Sequence, residues 1–273
     1  MQDPDQVRTG KLFRMTRFIL VASSKGGTGK TITAINLATA LTDFGRDVIL
    51  VDGNISSPNV GIMLGIPSTP KSLYDVLEGT ISFRESVYQH PSGIKVIPAT
   101  ISYRKSLEFD YENFSKIFDE LKDSNECIII DCKSGINKNF LNIIKKTPEV
   151  LIITNPDLVS VAESLRMIKI AHEKKLKIIG VVINKSGEFS KELNKENVEA
   201  MLGVKVIAEI PYDDMVNNSL NIKYPVVYAY PDASSTTAFK RLAAALIGER
   251  YDVPEKKKED AIAYIKKVFK IKK

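Results

Sequence analysis

Short apolar runs rich in Val and Ile alternate with longer stretches of helical periodicity along most of the chain. Several of the runs are apolar at every position, as expected for strands covered on both faces. The alternation predicts parallel strands joined by crossover helices, in an α/β fold with a doubly wound, mostly parallel sheet flanked by helices. The predicted strands are 18–23, 47–52, 94–97, 127–131, 149–154, 178–183 and 204–209, and the predicted helices are Thr31–Phe44, Tyr111–Lys122, Val159–Lys175 and Thr236–Ile247.

A glycine-rich segment joins the first predicted strand to the first predicted helix. Its end fits the phosphate-loop pattern G-x-x-x-x-G-K-[ST] at Gly29, Lys30 and Thr31, with Ser24 in the place of the first glycine. Backbone amides in such a loop can surround the phosphates of a nucleotide, and the N-terminal end of the helix adds partial positive charge. Lys30 would neutralise the β and γ phosphates, and the Thr31 hydroxyl would ligate Mg²⁺. The predicted nucleotide-binding residues are Gly26, Gly27, Thr28, Gly29, Lys30, Thr31 and Ile32.

Two aspartates come directly after buried-type apolar strands. In such sheets, ligands bind at the carboxyl ends of the strands, where an aspartate beside a phosphate loop can hold Mg²⁺ through its water ligands. Asp131 is our first choice for this role and Asp52 the second, with Gly135 offering a backbone amide near the γ phosphate. The alternative for each aspartate is a solvated strand end or a helix cap.

A second lysine makes the loop more specific. Lys25 precedes the glycine pair, and the resulting K-G-G-x-G-K-T segment resembles the deviant phosphate loop of the MinD/ParA family of dimerising ATPases, most of all the archaeal-like MinD type. The resemblance covers roughly residues 17–273 and includes VDGNISSPNVGIMLG, IIIDCKSGI, LIITNPDLVSVAESLR and EIPYDDMV. It implies a homodimer that holds ATP and Mg²⁺ between its subunits, with Lys25 reaching the phosphates bound by the partner.

The resemblance also implies roles for residues farther along the chain. Asp131 corresponds to the Walker B carboxylate, Asn184 would contact the adenine, and the segment at Pro211 would border the base. Asn184 alone would be equally compatible with a turn. The catalytic residues implied by the pattern and the resemblance together are Lys25, Lys30, Asp52, Asn54 and Asp131.

Two departures from the family pattern concern ATP hydrolysis. Asn54 stands where the family has the aspartate that orients or deprotonates the attacking water, and an amide cannot take a proton. Lys133 follows Asp131 and Cys132, where the family has small residues and proline; it either adds a cation near the phosphates or faces solvent. We therefore expect ATP to bind well and to turn over slowly, unless Asp52 compensates.

The net charge of +6 is concentrated at the C-terminus. Residues 254–273 contain eight lysines against three acidic residues, which leaves only +1 for the other 253 residues. A surface that bound DNA would be expected to carry a basic excess, so this distribution argues against DNA binding by the globular part. Two cysteines, Cys127 and Cys132, form neither a disulfide framework nor a zinc motif, which is consistent with a reducing cytoplasm.

The tail itself has the pattern of an amphipathic helix. We predict a flexible leader at 1–16, an ATPase domain at 17–250, a linker at 251–259 and a membrane-targeting helix at 260–273. Such a helix can lie in the membrane interface with its lysines over anionic head groups. The alternatives are a terminal helix packed on its own domain and a solvated lysine tail. The predicted membrane contacts are Ile262, Ile265, Val268, Phe269, Lys266 and Lys270.

These features predict a cytoplasmic, MinD-like ATPase that dimerises around ATP, binds reversibly to the inner face of the cell membrane, and positions cell-division or related machinery. It would require a protein partner or activator that the sequence does not identify. Two alternatives stay open: an ATP-locked spatial scaffold that does not hydrolyse ATP, and a ParA-like DNA segregation ATPase.

Overall fold

A single sheet organises the part of the chain that the computed structural model describes, which is residues 16–66, 71–99, 118, 121, 125–135 and 149–252. Its strand order is β3-β4-β2-β5-β1-β6-β7-β8, and neighbours are parallel except that β3 runs antiparallel to β4. The predicted doubly wound α/β class is confirmed. The strands are β1 Arg17–Ala22, β2 Val48–Asp52, β3 Tyr88–Gln89, β4 Lys95–Ile97, β5 Cys127–Asp131, β6 Glu149–Thr154, β7 Lys177–Ser186 and β8 Val206–Pro211.

Helices cover both faces of this sheet and create two hydrophobic clusters. Successive strand residues point to opposite faces, so Leu20 belongs to one cluster and Ile19 to the other. Helices α1 and α9 pack on the Ile19 face, and α3, α5 and α6 pack on the Leu20 face. The helices are α1 Lys30–Asp43, α2 Val60–Met63, α3 Leu73–Leu77, α4 Phe83–Ser86, α5 Leu158–Glu173, α6 Lys195–Leu202, α7 Asp214–Asn221, α8 Val226–Ala229 and α9 Ser234–Ile247.

The predicted strands agree with the observed ones to within two residues at each end, except that β7 extends three residues beyond its predicted end. The largest shift of a whole strand is at β8, which was predicted at 204–209 and runs from Val206 to Pro211. The short edge strand β3 was not predicted, because two residues carry no detectable periodicity. Helices α6 and α7 were also missed: each has eight residues and few apolar ones, and each is set by a capping side chain, Asn194 and Asp213 respectively.

Several predicted segments fall outside the described residues. Of the predicted helix Tyr111–Lys122, the structure describes Phe118 and Leu121, both helical and buried. The predicted leader 1–16, apart from Thr16, lies outside the described residues, as do the linker from residue 253 onward and the predicted helix 260–273. Within the described ranges, every helix falls short of the length and apolar character that a bilayer-spanning helix requires.

A partly exposed ion-pair network around the buried carboxylate of Glu149 ties three strands together at the end of the sheet opposite the phosphate loop. Glu149, the first residue of β6, accepts hydrogen bonds from Arg17 Nε (3.0 Å) and Nη2 (2.8 Å) on β1 and from Lys177 Nζ (2.7 Å) on β7. Burial raises the pKa of Glu149, but the hydrogen bonds from Lys177 and Arg17 outweigh burial, so the net pKa lies below its ordinary value of 4.5. The charged network therefore stabilises the fold near neutral pH.

We predict that Glu149→Gln lowers the free energy of unfolding by about 1–2 kcal/mol at pH 7, a value reduced for solvent because the Arg17 and Lys177 side chains are 38% and 71% exposed. A lowered carboxylate pKa stabilises the protein above the unfolded pKa, so the difference should shrink as pH falls below about 4.5. Urea unfolding across pH measures both effects. Glu163→Gln, which removes an exposed ion pair with Arg166, is the control and should change little. Equal losses in the two variants would contradict the prediction.

Candidate nucleotide-binding site

The phosphate loop connects β1 to α1 and takes its shape from two glycines with positive φ. Gly27 has φ +81° and Gly29 has φ +88°, a left-handed conformation that residues with a Cβ rarely adopt. Gly29 caps α1, which places Lys30 and Thr31 in the first turn of the helix. Lys30 is buried and Lys25 is exposed, so the two lysines of one loop lie in different environments.

Asn184, near the end of β7, contacts this loop from two strands away, since β6 lies between β1 and β7. Its Nδ2 donates to the Thr28 carbonyl over 2.8 Å. A Cβ added at Gly29 would lie 2.1 Å from that same nitrogen, so a larger residue would have to displace the Asn184 amide from Thr28 as well as adopt an unfavourable φ. The contact of Asn184 with adenine stays a prediction. Pro211 ends β8, and the next residue, Tyr212, donates its backbone N–H to the Ser186 carbonyl on β7 (2.8 Å).

The first turn of α1 is hydrogen-bonded to the end of β5 through a threonine–aspartate pair. Thr31 Oγ1 donates to Asp131 Oδ2 over 2.6 Å. The other carboxylate oxygen, Asp131 Oδ1, is buried and accepts no hydrogen bond from the described residues. Burial raises the pKa of Asp131 to about 6, although the Thr31 hydrogen bond and the charge of Lys30 lower it. Ionising Asp131 above that pH therefore costs folding stability, and a cation beside Oδ1 would offset the cost.

These donors fit a magnesium ion. Mg²⁺ is usually bound by one or two protein oxygens together with waters and nucleotide phosphates rather than by a full protein cage. Thr31 and Asp131 supply such oxygens beside the phosphate loop. In the described part of the chain, no three His, Cys, Asp or Glu side chains gather as a metal site of their own. Thr31 and Asp131 would therefore hold Mg²⁺ as members of a nucleotide complex.

Asp52 lies next to Asp131 across the β2–β5 pairing, but its oxygens are already engaged. Oδ1 accepts the backbone N–H of Asn54 (3.1 Å), and Oδ2 accepts those of Asn59 (3.2 Å) and Val60 (3.1 Å). Burial, and then the charge of Asp131, raises the pKa of Asp52 well above its ordinary value. The contacts of Asp52 organise the loop after β2, and its contributions to metal binding and catalysis stay predictions.

The loops that follow β2 and β5 are joined to each other and to the phosphate loop. Gly53 N–H donates to the Asp131 carbonyl over 2.7 Å, and Gly135 N–H donates to the Ser23 carbonyl over 2.9 Å. Gly135 thus lies beside the phosphate loop, but its amide already has a partner in this structure, and its contact with the γ phosphate stays a prediction. The arrangement brings the residues predicted to surround the phosphates together at the carboxyl ends of the strands.

The start of α5, which the sequence analysis did not single out, also lies at the carboxyl ends of the strands. Asp157 caps α5 by accepting hydrogen bonds from Ser160 N (2.9 Å) and Oγ (2.6 Å). Burial raises the pKa of Asp157, but the hydrogen bonds from Ser160 and the nearby charge of Lys25 together lower it by more. The net pKa therefore lies below its ordinary value. The next two residues, Leu158 and Val159, are 63% and 60% exposed. The available signal was the Asp-x-x-Ser spacing after a strand.

We predict that Gly29→Ala and Gly45→Ala will differ in nucleotide binding although both place alanine at a left-handed φ. That conformation costs alanine about 1–2 kcal/mol in either variant. The added carbon meets nothing within 4 Å at Gly45, whereas at Gly29 it must displace Asn184 and break its bond to Thr28. Urea unfolding should show a larger loss of stability for Gly29→Ala than for Gly45→Ala. MgADP titration should show that only Gly29→Ala loses nucleotide binding. Matching behaviour of the two variants would rule out a tightly built loop.

Comparison with known proteins agrees with this geometry. Residues 19–226 match the family model described as the CobQ/CobB/MinD/ParA nucleotide binding domain. An ATP-binding protein of Methanocaldococcus jannaschii is 35% identical over 253 residues, covering 92% of this chain and 96% of that protein.

Two solved structures share the fold. The cell division ATPase MinD of Pyrococcus furiosus has a TM-score of 0.81 and 29% identity, covering 85% of this chain and 98% of its own. MinD of Pyrococcus horikoshii, solved with Mg-ADP, has a TM-score of 0.81 and 26% identity, covering 85% and 96% respectively. From the phosphate loop, its magnesium-compatible oxygens and these matches, we conclude that the chain belongs to the MinD/ParA family of nucleotide-binding P-loop ATPases.

Proposed function

We propose that this protein is an ATP-dependent dimerisation switch that carries its own membrane-binding segment. The observation that carries the proposal is the contrast between the two lysines of the phosphate loop. Lys30 is buried at the start of α1, where it can serve the phosphates of its own subunit, and Lys25 is exposed. An exposed cation at the rim of a phosphate site is suited to the phosphates of a second copy, which would join two subunits only while a triphosphate is bound.

Within one subunit, each group at the site has a distinct role. The loop amides and Lys30 bind the phosphates, and Thr31 and Asp131 hold Mg²⁺, which supplies charge neutralisation at the β and γ phosphates. Asn54, in the loop after β2, can orient a water molecule but cannot remove its proton. This division of roles supports tight binding of MgATP with slow hydrolysis.

The C-terminal residues supply the proposed output of the switch. One amphipathic segment with Ile262, Ile265, Val268 and Phe269 gives a marginal membrane affinity, because the ordering of its backbone opposes the gain from burying its apolar face. Two copies on one dimer multiply the affinity through effective concentration, by about 10²–10⁴-fold. ATP would thereby control residence on the inner, anionic face of the cell membrane.

Positioning of other machinery is the proposed cellular use. The Pyrococcus furiosus relative is described as a cell division ATPase, which supports a role in cell division or a related process. A dimer that appears on the membrane only with ATP could localise a protein partner and be released by an activator of hydrolysis. The chemistry at the site does not identify either protein.

We predict that the protein sediments with anionic vesicles in MgATP and much less in MgADP. A chain lacking residues 255–273 should bind MgATP and dimerise but no longer sediment. Lys25→Ala should bind MgATP as a monomer and lose most sedimentation, whereas Lys174→Ala, which removes an exposed lysine at the end of α5, should behave like the native protein. Light scattering measures the dimer. A protein that stays monomeric at saturating MgATP would contradict the switch, and capture of DNA instead of vesicles would favour the segregation alternative.

The second candidate, an ATP-locked scaffold, is favoured by one observation, the amide at Asn54 in place of a carboxylate. We predict that steady-state phosphate release is slow and rises in Asn54→Asp, because general-base assistance is worth about 10²–10⁴-fold. Asn54→Gln, which keeps an amide, is the matched control and should not raise the rate. A brisk native rate, or no rise in Asn54→Asp, would show that Asn54 does not limit hydrolysis. Release at the detection limit in the native protein would support the scaffold.

A further inference from the structure

The two residues that depart from the family pattern, Asn54 and Lys133, are linked through a single serine. Lys133, in the loop after β5, donates from Nζ to Ser56 Oγ over 3.0 Å. Ser56, in the loop after β2, donates from Oγ to Asn54 Oδ1 over 3.5 Å. The series of hydrogen bonds from Lys133 through Ser56 to Asn54 therefore connects the loop after β5 to the loop after β2. It adds to the backbone hydrogen bond between Gly53 and Asp131.

The chemistry of the three groups determines which of them donates and which accepts in this series of hydrogen bonds. An ammonium can only donate, so Ser56 Oγ must act as the acceptor toward Lys133. Ser56 then donates its one hydroxyl hydrogen in a hydrogen bond to Asn54, and the acceptor atom of Asn54 is its amide oxygen. The other end of that amide, Nδ2, donates no hydrogen bond to the part of the chain that the structure describes. Asn54 is largely buried as a residue, but its Nδ2 is not among the enclosed, unpartnered polar atoms of the described residues, so this donor is accessible to a ligand beside the site.

We propose that Lys133 is a positioning residue: through Ser56 it fixes the Asn54 amide so that Nδ2 serves as a donor for the terminal phosphate of ATP. The inference rests on the proposed function, because it requires the γ phosphate to bind beside the loops after β2 and β5. An unconstrained Asn54 amide would also adopt the orientation in which its oxygen faces the phosphate, and the two negative oxygens would then repel each other. Holding the amide in the other orientation removes this loss of affinity. The fixed amide favours the triphosphate over the diphosphate.

The proposal gives the two departures a common explanation. A donor at Asn54 cannot activate water, but it can hold a negatively charged oxygen, and a hydrogen bond to a charged group is stronger than one between neutral groups. Lys133 supplies the hydrogen-bond donor at the outer end of this series of contacts, which a small apolar residue could not. Together the pair converts a position used for hydrolysis in the family pattern into one that retains ATP.

The test compares dissociation constants for MgATP and MgADP by calorimetry in a series of variants. Asn54→Ala, Ser56→Ala and Lys133→Met should each reduce the preference for MgATP over MgADP about tenfold, with MgADP affinity unchanged. Lys133→Arg keeps a donor and should retain most of the preference. Lys174→Met, which removes an exposed lysine at the other end of the sheet, is the control for net charge and should have no effect.

A double-mutant cycle separates positioning from simple charge. Lys133→Met added to Asn54→Ala should change the preference no further, because the amide through which Lys133 acts is already gone. A further loss of the same size would show that the ammonium acts directly on the phosphate, and would overturn the proposal. An unchanged preference in all three single variants would also overturn it. A native protein that binds neither nucleotide would instead defeat the proposed function.

Discussion

The hydrogen bond between Thr31 and Asp131 connects the phosphate loop to the rest of the site. It joins the first turn of α1 to the end of β5, and it leaves one buried carboxylate oxygen without a protein partner. A buried anionic oxygen in that condition is costly in the folded protein, as the raised pKa of Asp131 indicates. The fold supports this cost because the strands around β5 bury extensive apolar surface on both faces.

The two neighbouring aspartates show how surroundings divide roles between identical side chains. Asp52 uses both oxygens to hold backbone amides of the loop after β2, so it shapes the site. Asp131 uses one oxygen for Thr31 and keeps the other available for a cation. Because the charge of Asp131 adds to burial in raising the pKa of Asp52, a divalent cation beside Asp131 would favour the ionised form of both carboxylates. A metal bound at Asp131 would therefore be coupled electrostatically to the loop that Asp52 organises.

The loops after β2 and β5 form one unit with the phosphate loop. Backbone bonds from Gly53 and Gly135 connect them, and the side chain of Lys133 adds a polar link to Ser56. These bonds provide a direct physical connection through which a change at one loop could reach the other two. Such coupling is what a nucleotide-dependent switch requires, since the difference between ATP and ADP is a single phosphate.

The sequence alone determined the fold class, the family and most strand positions, and it predicted which residues surround the nucleotide. This was possible because continuous apolar runs, a glycine loop and strand-ending aspartates are local patterns that carry their own physical meaning. Short segments such as β3, α6 and α7 were missed, because their stability comes from capping and from contacts with distant residues. Only the tertiary structure decided that Asn184 anchors Thr28, that Asp131 and Asp52 differ in available oxygens, and that Lys133 reaches Asn54 through Ser56. Lys133 and Ser56 are 77 positions apart and Asn184 and Thr28 are 156 apart, and hydrogen bonds between such residues depend on distances that only the packed sheet sets.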